Sequence, residues 1–97
     1  ISNPIDIYGF QNAYNYPNPV NDRTTFRFYV KNSNEVKIHI FDLYGLEVYD
    51  MNINNLIQNE YNELVWEVGD NINSGIYFVE VVFNPSRKEL IRMVVAR

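Results

Sequence analysis

The alternation of apolar and polar side chains at every second residue constrains this 97-residue chain most strongly. It covers the segments 24–31 and 35–42. Its apolar members are Phe26, Phe28, Val30, Val36, Ile38 and Ile40. Successive side chains of a strand point to opposite faces, whereas a helix repeats every ~3.6 residues. The pattern therefore predicts strands that bury one face and leave the other in water.

Turn-forming residues divide the rest of the chain into further short segments with strand character. The predicted strands are 12–16, 24–31, 35–42, 46–51, 62–68, 76–83 and 89–96. In the fifth of them, Leu64, Trp66 and Val68 fall on the inner face. The segment 76–83 is almost continuously apolar, so we expect it to lie in the centre of a sheet.

No segment favours a helix. Residues 52–59 have apolar side chains at helical spacing, but their asparagines disfavour one, so we expect a crossover loop with a short strand. Seven or so short strands separated by turns are typical of an all-β fold, an immunoglobulin-like antiparallel β-sandwich of about seven strands. The length suits one domain, which we place at residues 12–97. Residues 1–11, which are polar and contain Pro4 and Gly9, are predicted to be a linker or leading segment.

Composition argues against several classes of function. The net charge of -4 disfavours nucleic acid or anionic lipid as a partner, because both require a basic face. The absence of cysteine leaves no thiolate chemistry and no disulfide. No apolar run reaches the length of a membrane span, so we expect no membrane insertion.

Candidate catalytic and ligand-binding residues are few. His39 is the only histidine, and no serine stands in a nucleophile-elbow motif, so we expect no enzyme activity. Asp22, Asp42 and Asp70 could meet at one end of a sandwich and hold calcium, but no EF-hand spacing supports this, and we predict neither metal nor cofactor. A sugar-stacking platform is an alternative, although Trp66 falls on the apolar face. Its members would be Tyr29, Tyr44, Tyr49, Tyr61 and Trp66.

Four landmarks follow one another along the chain. They are Tyr16-Pro17-Asn18-Pro19, the hairpin segment 36–45, the segment 74–79 and the closing segment 91–97. Prolines lack a backbone donor, so Pro17-Asn18-Pro19 cannot lie inside a sheet ladder. Asp42 can bond its own turn, Gly45 suits a positive φ, and Tyr77 can bury its ring with the hydroxyl near the rim. A rigid opening and a final strand that reaches Arg97 are typical of a terminal module attached to a larger protein.

The ordered set resembles the type A C-terminal sorting domain of proteins exported by the type IX secretion system of Bacteroidota. That family has a Pro-Asn-Pro opening, an apolar hairpin with Asp and Gly, a Gly-x-Tyr motif and a valine-rich last strand ending in Lys or Arg. The resemblance covers residues 12–97. The chain departs from the family at Leu46, where Lys or Arg is common, and near its end, where only Arg92 and Arg97 are basic.

The resemblance implies a non-catalytic signal that sends an N-terminal cargo domain through the periplasm and outer membrane to the cell surface or the medium. It implies recognition of the folded domain by the type IX translocon. A sortase-like peptidase would then cut within residues 1–12 and join the cargo to anionic lipopolysaccharide. The recognition residues would be Pro17, Asn18, Pro19, Asp42, Gly45, Gly75, Tyr77, Val94, Val95 and Arg97.

Two other functions are alternatives. One is a structural or adhesive immunoglobulin-like module of a surface protein or hook-cap scaffold. Trp66 and the loop after it are similar to the immunoglobulin-like domain of flagellar hook-capping proteins, which has Trp-Asp/Asn-Gly where this chain has Trp66-Glu67-Val68-Gly69. The other is a carbohydrate-binding module, which would need several exposed tyrosines on one surface.

Overall fold

The computed structural model describes residues 12–97, which form two antiparallel β-sheets. The predicted linker, residues 1–11, lies outside the described residues, and so does almost all of the segment in which a cut is expected. The strands are β1 Ala13–Tyr16, β2 Arg23–Val30, β3 Val36–Phe41, β4 Glu47–Ile53, β5 Glu60–Glu67, β6 Gly75–Asn84 and β7 Arg87–Val95. No helix occurs between residues 12 and 97.

The two sheets have the strand orders β1-β2-β5 and β4-β3-β6-β7. This confirms the predicted immunoglobulin-like β-sandwich of seven strands. The strand β6 lies between β3 and β7, as its apolar sequence predicted, because a central strand is covered by neighbours on both edges. Within the described part of the chain, nothing forms a helix with the length and hydropathy needed to cross a membrane.

The core consists of the side chains that the alternation assigned to the inner faces. On β2, Phe26, Phe28 and Val30 are each at most 1% exposed. The ring of Phe28 meets that of Phe83 from the other sheet at 6.5 Å in an edge-to-face arrangement. Each fully buried large apolar side chain contributes roughly 1.5–3 kcal/mol to folding. Burial of these faces therefore holds the two sheets together without a cross-link.

The strands extend further than the sequence predicted at two turns. Residues 52 and 53 were assigned to a loop, but they continue β4, because Ile53 pairs with Val36 at the start of β3. The turn after β6 is also tighter than expected, since Asn84 pairs directly with Arg87. Cross-strand pairing thus continues up to the turn residues wherever a neighbouring strand is available.

Candidate functional site

The predicted recognition residues gather at one end of the four-stranded sheet. The register pairs Phe41 with Phe78 and Gly75 with Val95, so the β3–β4 turn, the start of β6 and the end of β7 lie at the same end. Val20 forms a parallel bridge to Val95 there. We call this surface, made of residues 17–20, 42–46, 75 and 94–97, the convergent end. Strands far apart in sequence bring its parts together.

Asn18 joins the opening of the domain to its last strand. Its side-chain amide donates to the carbonyl of Arg92 at 3.0 Å, and its side-chain oxygen accepts from the backbone N–H of Val94 at 3.0 Å. Val20 continues the pairing, because its N–H donates to Val94 O and its carbonyl accepts from the N–H of Ala96, both at 2.7 Å. The outer edge of β7 is therefore covered where an unpaired edge would otherwise face solvent.

A buried polar network fixes the shape of the Pro17-Asn18-Pro19 segment. Asn15, 7% exposed, donates from its amide to the hydroxyl of Thr24 at 3.1 Å and to the carbonyl of Pro17 at 3.3 Å. Thr24, fully buried, donates its hydroxyl to the same carbonyl at 3.0 Å. The Asn18 amide donates to Asn15 Oδ1 at 3.3 Å. This network was not predicted from the sequence, although both Asn15 and Thr24 stand at inward positions of their strands, where a polar residue is an informative exception.

Replacing Asn18 with alanine is expected to loosen the end of β7. The Val94 amide would lose its acceptor, and a bond of this kind contributes about 1 kcal/mol. We expect the hydrogen exchange of the Val94 amide to quicken by about fivefold or more, while that of Val79 in the central strand stays the same. Residue-resolved exchange measured by NMR checks this. An unchanged rate at Val94 would show that Asn18 does not hold the last strand.

Arg97 is tied to the loop that precedes β6 rather than presented as a free cation. Its guanidinium donates to the carbonyls of Gly69 at 2.7 Å and Ile72 at 2.9 Å. Its backbone N–H donates to the hydroxyl of Ser74 at 2.9 Å, and the carboxylate of Asp22 lies 3.8 Å from the guanidinium. The geometry gives this predicted recognition residue a structural role in closing the convergent end.

The β3–β4 turn has the predicted chemistry. Asp42 accepts at its side-chain oxygen from the N–H groups of Tyr44 at 2.8 Å and Leu46 at 3.0 Å. Gly45 has a φ of 84°, which glycine adopts without steric cost. These contacts fix the backbone of a turn that carries three large apolar side chains.

Those three side chains point into solvent. From the sequence, Tyr44 was predicted only as part of a sugar-stacking platform and Leu46 only as a departure from the family, and none was predicted to be a recognition residue. Leu43 is 61% exposed, Tyr44 95% and Leu46 65%. We call them the apolar tip. The sequence does contain a signal for this exposed cluster, because turns are usually polar and this one has the sequence Asp42-Leu43-Tyr44-Gly45-Leu46. A rigid turn with an exposed apolar cluster is the kind of feature that contacts another protein.

Two other predicted recognition residues, Tyr77 and Val95, are buried and can act only by shaping the domain. Tyr77 is 7% exposed, and its hydroxyl donates to the carbonyl of Asn73 at 2.7 Å, as expected for a ring in the core with its hydroxyl at the rim. Val95 is 1% exposed, whereas Val94 is half-buried. Gly75 begins β6 next to Val95.

The residues that would carry the alternative functions do not come together in the structure. Trp66 is buried, 6.1 Å from the ring of Phe26 and 5.5 Å from that of Tyr49, whereas Tyr44 lies on the apolar tip. The five proposed aromatic residues thus do not form one platform. Asp22 and Asp42 engage Arg97 and the β3–β4 turn, respectively. Among residues 12–97, no hydrogen bond joins His39 to a serine hydroxyl.

A tyrosine cluster covers the outer face of the three-stranded sheet. Tyr61 packs edge-to-face with Tyr29 at 5.3 Å and with Tyr14 at 6.4 Å. The Arg27 guanidinium lies 4.5 Å above the Tyr61 ring and donates to the hydroxyl of Tyr14 at 2.7 Å and to Glu63 at 3.0 Å. The hydrogen bond to Tyr14 is the main cause that raises the pKa of Arg27 above its ordinary value, and Glu63 contributes in the same direction. The rings pack on one another and on Arg27, so they do not form the flat row that a sugar would stack on.

Comparison with known proteins gives two similarities. Residues 15–96 match the family model of the secretion system C-terminal sorting domain. The fold is similar to part of the crystal structure of dimeric latent PorU from Porphyromonas gingivalis, with a TM-score of 0.71 and 23% sequence identity. That match covers 87% of this chain and 9% of the PorU chain, and it shows a shared fold. No curated protein matches the chain.

Proposed function

The chain belongs to the secretion system C-terminal sorting domain family, and on that basis we propose that its convergent end is the surface read by the type IX machinery. A domain of this family is a C-terminal sorting signal for type IX secretion, and it marks the attached protein for export to the cell surface or the medium. The family is non-catalytic and works together with the secretion machinery and the cargo that precedes it.

The convergence of the family landmarks carries this proposal. One end of the four-stranded sheet brings together the Pro17-Asn18-Pro19 segment, the Asp42–Gly45 turn, Gly75 and the end of the last strand. Asn18 and Arg97 hold that end in a single shape, and the apolar tip stands out from it. A receptor that binds this end would bind only a domain in which both the opening segment and the final strand are folded.

The solvent exposure of each residue indicates whether it contacts the receptor or shapes the surface. We infer that the apolar tip and the exposed edges of residues 17–19 touch the translocon directly. Tyr77 and Val95 set the shape of the surface from within, because their side chains are buried. Arg97 sets it by bonding its guanidinium to the loop that precedes β6. The chain itself has no enzymatic activity in this proposal, and its role is recognition of shape.

The same proposal assigns residues 1–11 as the linker to the cargo and residues 12–97 as the sorting domain. A sortase-like peptidase cuts within residues 1–12 after export and joins the cargo to anionic lipopolysaccharide. Neither the linker nor the cut contributes to recognition of the convergent end. A non-cleavable linker should therefore still allow export and should stop only release.

Fusion to a reporter tests the sorting function. A fluorescent protein that carries an inner-membrane export signal and residues 1–97 at its C-terminus is expected to reach the surface or medium of a type IX host. The control is the same fusion in a host without the type IX translocon, where the reporter should remain in the periplasm. Cell fractionation and surface protease treatment measure the distribution. Retention of the reporter in the periplasm of the competent host would refute the proposal.

A further inference from the structure

A β-bulge near the β3–β4 turn places three metal-ligating side chains on one face. His39 pairs with Asp50, Ile40 with Tyr49 and Phe41 with Glu47, so Val48 is the extra residue of β4. In a regular strand, residues three apart point to opposite faces. The extra residue cancels that alternation, and Glu47 and Asp50 therefore lie on the same side of the sheet as His39.

The ligand atoms of these side chains are close together. One atom from each of His39, Glu47 and Asp50 lies within 4.8 Å of the others. His39 Nδ1 and Glu47 Oε1 are 3.4 Å apart. Two ligands of a tetrahedral zinc ion, each bound at about 2.0–2.2 Å, are separated by roughly 3.3–3.5 Å. The histidine and Glu47 are therefore already at the spacing of two ligands on one ion, and Asp50 offers a carboxylate oxygen within 4.8 Å of both as the third ligand.

The ring nitrogen that faces the carboxylates lacks a hydrogen-bond partner. His39 Nδ1 is inaccessible to solvent and makes no hydrogen bond, although the side chain as a whole is 25% exposed. A buried polar atom without a partner carries a cost in free energy, and each such atom in a folded protein calls for an explanation. A cation between Nδ1 and the two carboxylates would supply the missing interaction. Glu80, the β6 residue paired with His39, adds another negative charge on the same face of the sheet.

We propose that His39, Glu47 and Asp50 form a three-ligand site for a divalent transition-metal ion, with Zn²⁺ as the favoured occupant. One imidazole nitrogen and two carboxylates suit zinc, nickel or copper, and three protein ligands leave a fourth position for water. Calcium and magnesium are disfavoured, because they prefer six or more oxygen ligands. The ion would pin β4 to β3 beside the apolar tip and so stiffen that turn.

Titration of the 97-residue chain with ZnCl₂ tests the site. We expect calorimetry to show one saturable site per chain, and we expect zinc to raise the melting temperature. His39→Gln and Asp50→Asn should each weaken binding by about tenfold or more, since even outer-sphere changes at zinc sites cost 10–100-fold. The matched control Asp70→Asn removes the same charge from an exposed loop and should bind zinc as the unaltered chain does.

The single histidine makes the ligand atom directly observable. ¹⁵N NMR of the imidazole should show a zinc-dependent shift at Nδ1, because no other histidine contributes signals. The proposal is overturned by the absence of saturable binding up to about 1 mM Zn²⁺. It is equally overturned by coordination through Nε2 with one ion per two chains, or by binding that survives His39→Gln in a variant shown by circular dichroism to be folded. In those cases the three side chains are a surface polar cluster that binds no ion of its own.

Discussion

Replacing the apolar tip with serines, as Leu43→Ser, Tyr44→Ser and Leu46→Ser together, is expected to lower export of a fused reporter by about tenfold or more. Side chains that anchor an interface commonly contribute 2 kcal/mol or more each, and every 1.4 kcal/mol is tenfold in binding. All three side chains are more than half exposed in the isolated domain. Their loss should therefore affect contact with the machinery and leave the fold intact. Quantitative immunoblotting of the surface, medium and periplasmic fractions measures export.

A matched control separates this effect from a general change in surface hydrophobicity. Ile57 and Val65 are also exposed apolar residues, at 57% and 55%, but they lie outside the convergent end. The double variant Ile57→Ser and Val65→Ser should be exported normally. Both variants should melt within a few degrees of the unaltered domain, because surface substitutions usually change stability by at most about 0.5 kcal/mol. Normal export of the tip variant would remove the apolar tip from the recognition surface.

The substitution Asn15→Leu is expected to destabilise the domain by about 2 kcal/mol. The carbonyl of Pro17, the hydroxyl of Thr24 and the amide of Asn18 would each lose a partner inside a mostly buried network. Each of these groups keeps another partner, so the cost is that of three lost hydrogen bonds, and one hydrogen bond contributes about 0.5–1.5 kcal/mol. For a domain of this size the change corresponds to a fall in melting temperature of roughly 10 °C. Thermal and urea unfolding followed by circular dichroism measure both quantities.

The same substitution at an exposed site provides the comparison. Asn52 stands on an outward position of β4, so Asn52→Leu should leave stability within about 0.5 kcal/mol of the unaltered value. Equal stability of the two variants would mean that the network around Asn15 contributes no more to stability than an exposed asparagine does.

The Asn15→Leu variant also tests whether the machinery recognises the folded domain. Export of a reporter fused to this variant should fail at a temperature where the domain is largely unfolded and succeed at a lower temperature.

The fold could be predicted to a large extent because its causes are local. Alternation over 24–31 and 35–42 identified β2 and β3 and their buried faces, and continuous apolar sequence identified β6 as central. The turn chemistry of Asp42 and Gly45 was also visible, since both act within their own few residues. The family landmarks were recognisable in order along the chain, and the family match confirms that reading.

The sequence by itself determined which face of each segment would be buried, because apolar and polar side chains alternate with the two-residue period of a strand. Only the tertiary structure decided what meets across the sandwich. It paired Asn18 with the backbone of Val94, 76 residues away. It also placed one extra residue at Val48, which turns Glu47 and Asp50 to the same face. Such contacts depend on register between strands far apart in sequence, and register is set by the packing of the whole core rather than by any local pattern.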